Sequence, residues 1–445
     1  MKDLVANQMV KYLEDRGIDH IFGLCGHTVI AFLAALEKSE KIRFINVRHE
    51  QIASHAADGF ARVTKKASVM LSHLGPGLTN AATGVANAAL DSIPMVVIAG
   101  DVPSHYFGKH PHQEVNMHAD GSQWEIYRPF VKRAWRVERP ELIPEVLEKA
   151  FALAESGRPG PVLVDIPMDV FSKEVDVALF ERLRSNTKKI LKPSIDEETA
   201  EKIVRAMAEA KRPVIYAGGG VISADASKEL QEFVDYFDIP VAHSLMGKGA
   251  LSDDHALAMG MTGFWGTKFI NDHCREADYI LGLGTSFKEA DCSSWYPEFT
   301  FDMPPTKLIH IDIDPSEIGR NYPVAIGAVS DLKQALTALN RVAKRLYPEG
   351  RKDEKIKTDI AAYKKEFREK NRAMEESEAF PMMPERILAD VRAVLPRDAI
   401  ITTDVGWNKN GVGQQFPIYE PGSFITPCGF ATMGFGSPAA LGAKL

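Results

Sequence analysis

A chain of 445 residues with 45% apolar and 25% charged side chains is long enough for two or three cores and has the composition of a folded globular protein. Its net charge of −7, with no basic stripe interleaved with aromatics, argues against a nucleic-acid groove. Cys25, Cys274, Cys292 and Cys428 lack metal-ligand or disulfide-framework spacing, no apolar run reaches membrane-spanning length, and the N-terminus is unlike a signal peptide, so a cytoplasmic protein is expected.

Leu4, Val5, Met9, Val10 and Leu13 recur at helical spacing and predict a helix over 3–16 that stops at Gly17. Short apolar strands are expected over 20–25, 42–47, 67–71, 94–99 and 161–166, with helix-length segments between most of them. That alternation predicts a parallel, doubly wound sheet for a first domain spanning 1–180. Ligands in such sheets bind beyond the carboxyl ends of the strands. His27 follows the first strand, Glu50 the second, His73 the third, and His112-Gln113-Glu114 lies in the long loop after the fourth, so four polar sets converge on one rim.

Glu50 opens a helix rich in small residues (Ala53, Ser54, Ala56, Ala57, Gly59, Ala61), a face suited to close approach by a partner surface. The plainer reading is a surface carboxylate paired with Arg48 or Arg62. The stretch Gly75-Pro76-Gly77-Leu78-Thr79-Asn80 reads as a tight turn whose Thr79 and Asn80 cap the next helix. A phosphate cradle is the second reading, since neither a GxxxxGK[ST] loop nor a GxGxxG fingerprint is present.

Residues 172–195 are charged and read as a linker. A second open α/β domain is expected over 190–345, with strands at 213–217, 240–243, 279–282 and 307–313 and a helix from Glu197. Residues 340–379 read as a charged, solvated helical connector. A third domain over 380–445 opens with a helix at 384–395 and a strand at 399–403, and is incomplete because the sequence stops inside a helix.

The stretches IFGLCGHTVIAFLAAL, NVRHEQIASHAADGFAR, LGPGLTNAATGVANAALDSIPMVVIAG, GPVLVDIPMDV, VIYAGGG, KLIHIDIDPSEIG, ITTDVG and GFATMGFGSPAALGAKL resemble the thiamine-diphosphate-dependent, acetolactate synthase-like family in order across almost the whole chain. The resemblance implies an α/β fold of three doubly wound open parallel-sheet domains and an enzyme that forms or cleaves carbon–carbon bonds on a 2-keto acid or related carbonyl substrate. It makes Glu50 the carboxyl group bonded to N1′ of the cofactor's aminopyrimidine, where it promotes the imino tautomer that takes the C2 proton. A desolvated site that raises the carboxyl's proton affinity would serve that role.

By the same resemblance, His27, His73 and Gln113 line the substrate side. Glu50, Pro76, Asn80, Val405, Gly406, Trp407, Asn408, Ala431 and Met433 contact the cofactor, with Met433 as the bulky residue that props its bent shape. Mg²⁺ is expected on a Gly-Asp-Gly motif beyond residue 445, since no such motif occurs here. Some relatives hold FAD in the central domain, where Gly218–Gly220 and Asp312-Ile313-Asp314 could serve a dinucleotide. The segment Gly284-Thr285-Ser286-Phe287-Lys288-Glu289 lacks the Arg-Phe-Asp-Asp-Arg pattern of those members. A homodimer or homotetramer with active sites between subunits is implied. His27 and His73 stand where acetolactate synthases carry smaller or hydroxyl residues, which points to a more polar or bulkier carbonyl substrate. Two other readings stay open: a 2-keto acid decarboxylase or dione hydrolase using the same cofactor, and a non-catalytic regulatory or binding subunit.

Overall fold

A computed structural model describes residues 1–115, 122–184 and 191–445. The chain forms two compact units. One comprises Met1–Ile190, Thr402–Val405 and Ile425–Leu445; the other comprises Leu191–Ile401 and Gly406–Phe424. The segment 380–445 is thus divided between the two.

The first unit opens with β1 (Lys2–Leu4), α1 (Val5–Asp15), β2 (His20–Gly23), α2 (Ile30–Leu36), β3 (Arg43–Asn46), α3 (Glu50–Thr64), β4 (Ser68–Ser72), α4 (Pro76–Leu90) and β5 (Met95–Asp101). It continues with β6 (Ala134–Arg136), α5 (Ile143–Glu155), β7 (Pro161–Pro167), α6 (Met168–Phe171), β8 (Glu174–Asp176) and α7 (Val177–Arg184). Six strands form a sheet in the order β3-β2-β4-β5-β7-β6, every pair parallel. Successive side chains leave opposite faces of a strand, so each strand feeds two cores. Ile21, Val69, Leu71, Val96 and Ile98 pack with α1, α2 and α5; Phe22, Met70, Met95, Val97 and Ala99 pack with α3 and α4. Helices on both faces make this a doubly wound sheet.

The charged segment 172–195 is more ordered than its composition suggests. β8 pairs antiparallel with β1, and Val175 and Phe180 are buried, so two apolar anchors outweigh the surrounding charge. The part of that segment over 185–190 lies outside the described residues.

The second unit contains α8 (Glu197–Glu209), β9 (Pro213–Ala217), α9 (Gly219–Ser223), α10 (Ser227–Phe237), β10 (Val241–His243), β11 (Ala258–Met261), α11 (Lys268–Arg275), β12 (Tyr279–Leu283), β13 (Lys307–Asp312) and β14 (Val324–Val329). Then come α12 (Leu332–Leu346), α13 (Glu354–Glu375) and α14 (Pro384–Val394). Its parallel sheet runs β11-β10-β9-β12-β13-β14, with the chain reversing direction between β9 and β12. Residues 340–379 are not a solvated connector throughout. Val342 and Ala343 of α12 and Ile360 of α13 lie in the core, because the apolar stripe is set between charges at helical spacing. The remaining elements are β15 (Ile401–Thr402), α15 (Trp407–Gln415), β16 (Phe424–Ile425) and α16 (Gly436–Lys444).

Candidate active site

The chain direction in the first sheet switches between β2 and β4, so the loops after these neighbouring strands diverge and leave a crevice at their carboxyl ends. His27 and His73 meet there with ring centroids 4.7 Å apart, edge to face. His73 is held at both nitrogens: Nδ1 lies 2.9 Å from Thr28 Oγ1 and Nε2 lies 3.1 Å from Gln113 Oε1. An amide oxygen at Nε2 places the ring proton there, which makes the Thr28 hydroxyl the donor to Nδ1. That hydroxyl oxygen also accepts the Leu74 N–H at 3.4 Å. Burial lowers the proton affinity of His73; the Gln113 contact and Glu50 work to raise it, His27 to lower it, and the net shift is downward. His73 is therefore a neutral imidazole at ordinary pH, while His27, Gln113 and His112 around it are exposed.

Glu50 is the first residue of α3 and only 6% exposed. Neither Arg48 nor Arg62 pairs with it: Oε2 accepts a hydrogen bond from Asn80 Nδ2 at 3.0 Å, and Arg62 is taken by Asp58 and Asp91. Among the described residues no donor is bonded to Oε1. A Cβ at Gly77 would stand 3.3 Å from that oxygen and 3.2 Å from His73 Cβ, so the glycine leaves room over the carboxylate. The turn before α4 is tight, as expected, but it is not capped as expected. Asn80 reaches Glu50 instead, and the Thr79 hydroxyl donates back to the Gly75 and Pro76 carbonyls. Gly75, at φ +46°, donates its N–H to Gln123 Oε1 at 2.7 Å; Pro76 sits exposed at the first position of the helix.

Near the C-terminus, Asp404 accepts N–H groups from Val405 (2.9 Å), Gly434 (3.0 Å) and Gly436 (3.0 Å). Partial burial works to raise its proton affinity, and these three donors outweigh that, leaving it lowered. The carboxylate thereby ties Val405 to the turn that carries Ala431, at φ +53°, and Met433. The Met433 carbonyl accepts Gln51 Nε2 at 3.2 Å, and its side chain is 77% exposed. In the second unit Gly406 (φ +102°) precedes α15, and Trp407 and Asn408 are exposed at the start of that helix.

The fold brings together Glu50, His27, His73 and Gln113, the residues expected on one rim, and Asn80 bonds Glu50. Sequence reasoning assigned no role to Thr28 or Gln123. Asp404 opens the loop Asp404-Val405-Gly406-Trp407-Asn408 after the expected strand over 399–403, which the resemblance sets against the diphosphate; Thr28 and Gln123 carried no local signal.

The chain matches the N-terminal TPP binding domain of thiamine pyrophosphate enzymes over residues 4–121, their central domain over 200–339 and their C-terminal TPP binding domain over 404–445. It is 37% identical over 452 residues to a probable acetolactate synthase large subunit of Methanocaldococcus jannaschii, covering 99% of this chain and 73% of the relative. It is 36% identical over 449 residues to the acetolactate synthase large subunit of Haemophilus influenzae (99% and 75%) and 34% over 442 residues to the isozyme 3 large subunit of Escherichia coli (99% and 75%). The chain belongs to the acetolactate synthase-like thiamine pyrophosphate enzymes. It is a thiamine-diphosphate-dependent enzyme with the α/β fold of that family.

The residues present fit the pyrimidine half of that cofactor. A buried carboxylate with one oxygen unbonded, facing the gap at Gly77, suits a proton-bearing ring nitrogen. Among the described residues no group of three or more His, Cys, Asp or Glu side chains is placed to hold a metal ion.

Proposed function

We propose that this acetolactate synthase-like enzyme acts on a 2-keto acid, with Glu50 as the group that exchanges a proton with N1′ of the aminopyrimidine of thiamine diphosphate. Bound there, the cofactor supplies a carbon nucleophile and an electron sink. The observation that carries the reading is the buried Glu50 carboxylate, fixed by Asn80 on one oxygen and unbonded on the other. His73 presents an Nε2–H held by Gln113, and that proton can be offered to a substrate oxygen as negative charge develops on it. Gln113 orients a carbonyl or carboxylate with its exposed amide, and His27 flanks both. Two histidines and an amide at the crevice favour a substrate more polar than pyruvate alone as the second partner.

Val405, Gly406, Trp407, Asn408, Ala431 and Met433 are assigned to the cofactor, and Mg²⁺ to its diphosphate, on the resemblance. A cytoplasmic homodimer or homotetramer belongs to the same proposal. FAD is assigned no part in it. Replacing Glu50 by Gln keeps the shape and the Asn80 contact but removes the proton carrier. Pyruvate consumption in the presence of thiamine diphosphate and Mg²⁺ is expected to fall at least about 100-fold, with an unchanged circular dichroism spectrum. Full turnover by that variant would reject the assignment.

A further inference from the structure

Gln123 follows the loop that carries Gln113, stands at the start of a short helical turn, and is 2% exposed. Its amide is fully used. Oε1 accepts the Gly75 N–H at 2.7 Å, while Nε2 donates to the Gly100 carbonyl at 3.0 Å and to Asp165 Oδ1 at 2.7 Å. These partners fix the amide orientation, because the reversed amide would set an NH₂ against the Gly75 N–H and an oxygen against two acceptors. Gln123 therefore bridges the carboxyl ends of β5 and β7 to the turn after β4. That turn carries the site: a Cβ at Gly75 would fall 2.0 Å from the Gln113 carbonyl oxygen, and Gly77 borders both Glu50 and His73.

We propose that Gln123 is a positioning residue, which holds the Gly75-Pro76-Gly77 turn, and through it Gln113, in register with Glu50 and His73. The inference rests on the proposed role of Glu50 for its functional consequence, though not for the geometry. Behind the amide lies an acidic pair. Asp101 Oδ2 and Asp165 Oδ2 are both buried, and only the Arg136 guanidinium, 3.4 Å from Asp101 Oδ2, brings a positive charge to Asp101 among the described residues. Burial, followed by the charge of Asp101, pushes Asp165 well above the usual carboxylate range, so the pair holds a proton. The other charged groups facing it are Glu138 and Glu114.

This arrangement makes Gln123→Glu a pH-dependent variant. With its carboxyl protonated, Glu can accept from Gly75 and donate to Asp165 as the amide does; ionised, it adds a buried negative charge beside Asp165. Gln123→Leu keeps the bulk and removes every bond. The test is hydrogen–deuterium exchange of the peptide spanning 73–80, taken as protection relative to the unfolded-chain rate at pH 6 and pH 8. Wild type, Gln123→Leu, Gln123→Glu and Glu50→Gln are compared, with pyruvate turnover measured in parallel. Gln123→Leu is expected to lose protection at least about tenfold at both pH values. Gln123→Glu should match wild type at pH 6 and Gln123→Leu at pH 8, a pH split that loss of packing alone does not produce. Wild-type protection in Gln123→Leu, or a Gln123→Glu deficit independent of pH, overturns the proposal. Glu50→Gln should keep full protection while losing turnover; if it retains turnover, the Glu50 reading fails and the exchange data still judge Gln123.

Discussion

His55 shows how a single buried side chain couples this protein's stability to pH. It lies on α3 with zero exposure, its ring edge-on to Phe435, its Nε2 within 3.3 Å of Gln51 Nε2 and 3.4 Å of Thr432 Oγ1, and its Nδ1 without a partner among the described residues. Burial lowers its pKa to about 4; Asp404 works to raise it and Arg62 to lower it further. Between pH 6.5 and about 4 the unfolded chain binds a proton at this residue that the folded chain refuses, so stability is lost as pH falls through that window. The full loss across the window is roughly 3 kcal/mol. Urea denaturation at pH 7 and pH 5 should show a drop in wild type that His55→Leu reduces; equal drops in both would assign the acid sensitivity elsewhere. At this scale the sequence was informative where chemistry follows a strand directly. His27, Glu50 and His73 each stand within a few residues of a strand's end, so the parallel-sheet rule alone brings them to one rim. Thr28 and Gln123 act through partners 45 and 48 residues away, and no local pattern announces such contacts.

Among elements, the small-residue face of α3 carries the clearest difference between expectation and structure. Read from sequence it suits a partner subunit; in the structure α16 of the same chain covers it. A Cβ on Gly59 would lie 2.2 Å from the Ala439 carbonyl oxygen and one on Gly442 1.8 Å from that of Ala56, so the two helices touch backbone to backbone. Around them Arg62 bonds Asp58, Asp91 and the Thr426 carbonyl, and Asp91 accepts the N–H groups of Cys428 and Gly429. A methyl group at Gly59 cannot be accommodated by a side-chain shift, because what it meets is backbone. Gly59→Ala is expected to cost about 1–3 kcal/mol through overpacking and to speed proteolysis within 425–445. Unchanged proteolysis would mean that the helix contact does not hold that segment. Most of the long elements were legible because apolar residues recurred over several turns or strand positions; β14, with Gly327 in its middle and mostly exposed side chains, was not. β1, β6 and β8 were not: each has three residues, and β1 and β8 are ordered by pairing with each other rather than by any pattern of their own.

At the level of the whole molecule, two parallel sheets meet the same topological rule with opposite results. In the first unit the switch between β2 and β4 is filled by chemistry: two histidines, with Gln113 and Thr28 bonded to one of them. In the second unit the strand order places the switch between β9 and β12, where a dinucleotide pyrophosphate lies in sheets of this order. The triple glycine after β9 made that site a candidate from sequence alone, since glycines before a helix can present N–H groups to phosphate. Here those donors are engaged by the chain itself: the Gly218 N–H bonds the Leu283 carbonyl at 2.9 Å, and the Gly220 N–H bonds the Gly284 carbonyl at 3.0 Å. Asp312, the acidic residue of the Asp312-Ile313-Asp314 stretch, accepts the Asp314 N–H at 2.9 Å within its own turn. A dinucleotide bound at the switch would have to displace the Gly284 loop and reclaim both donors. The expected outcome is therefore that purified protein shows no flavin absorbance band and that calorimetric titration with FAD gives no saturable heat. Saturable FAD binding would show that the Gly218 and Gly220 donors are released in solution, and would restore to the triple glycine the ligand role its sequence suggests.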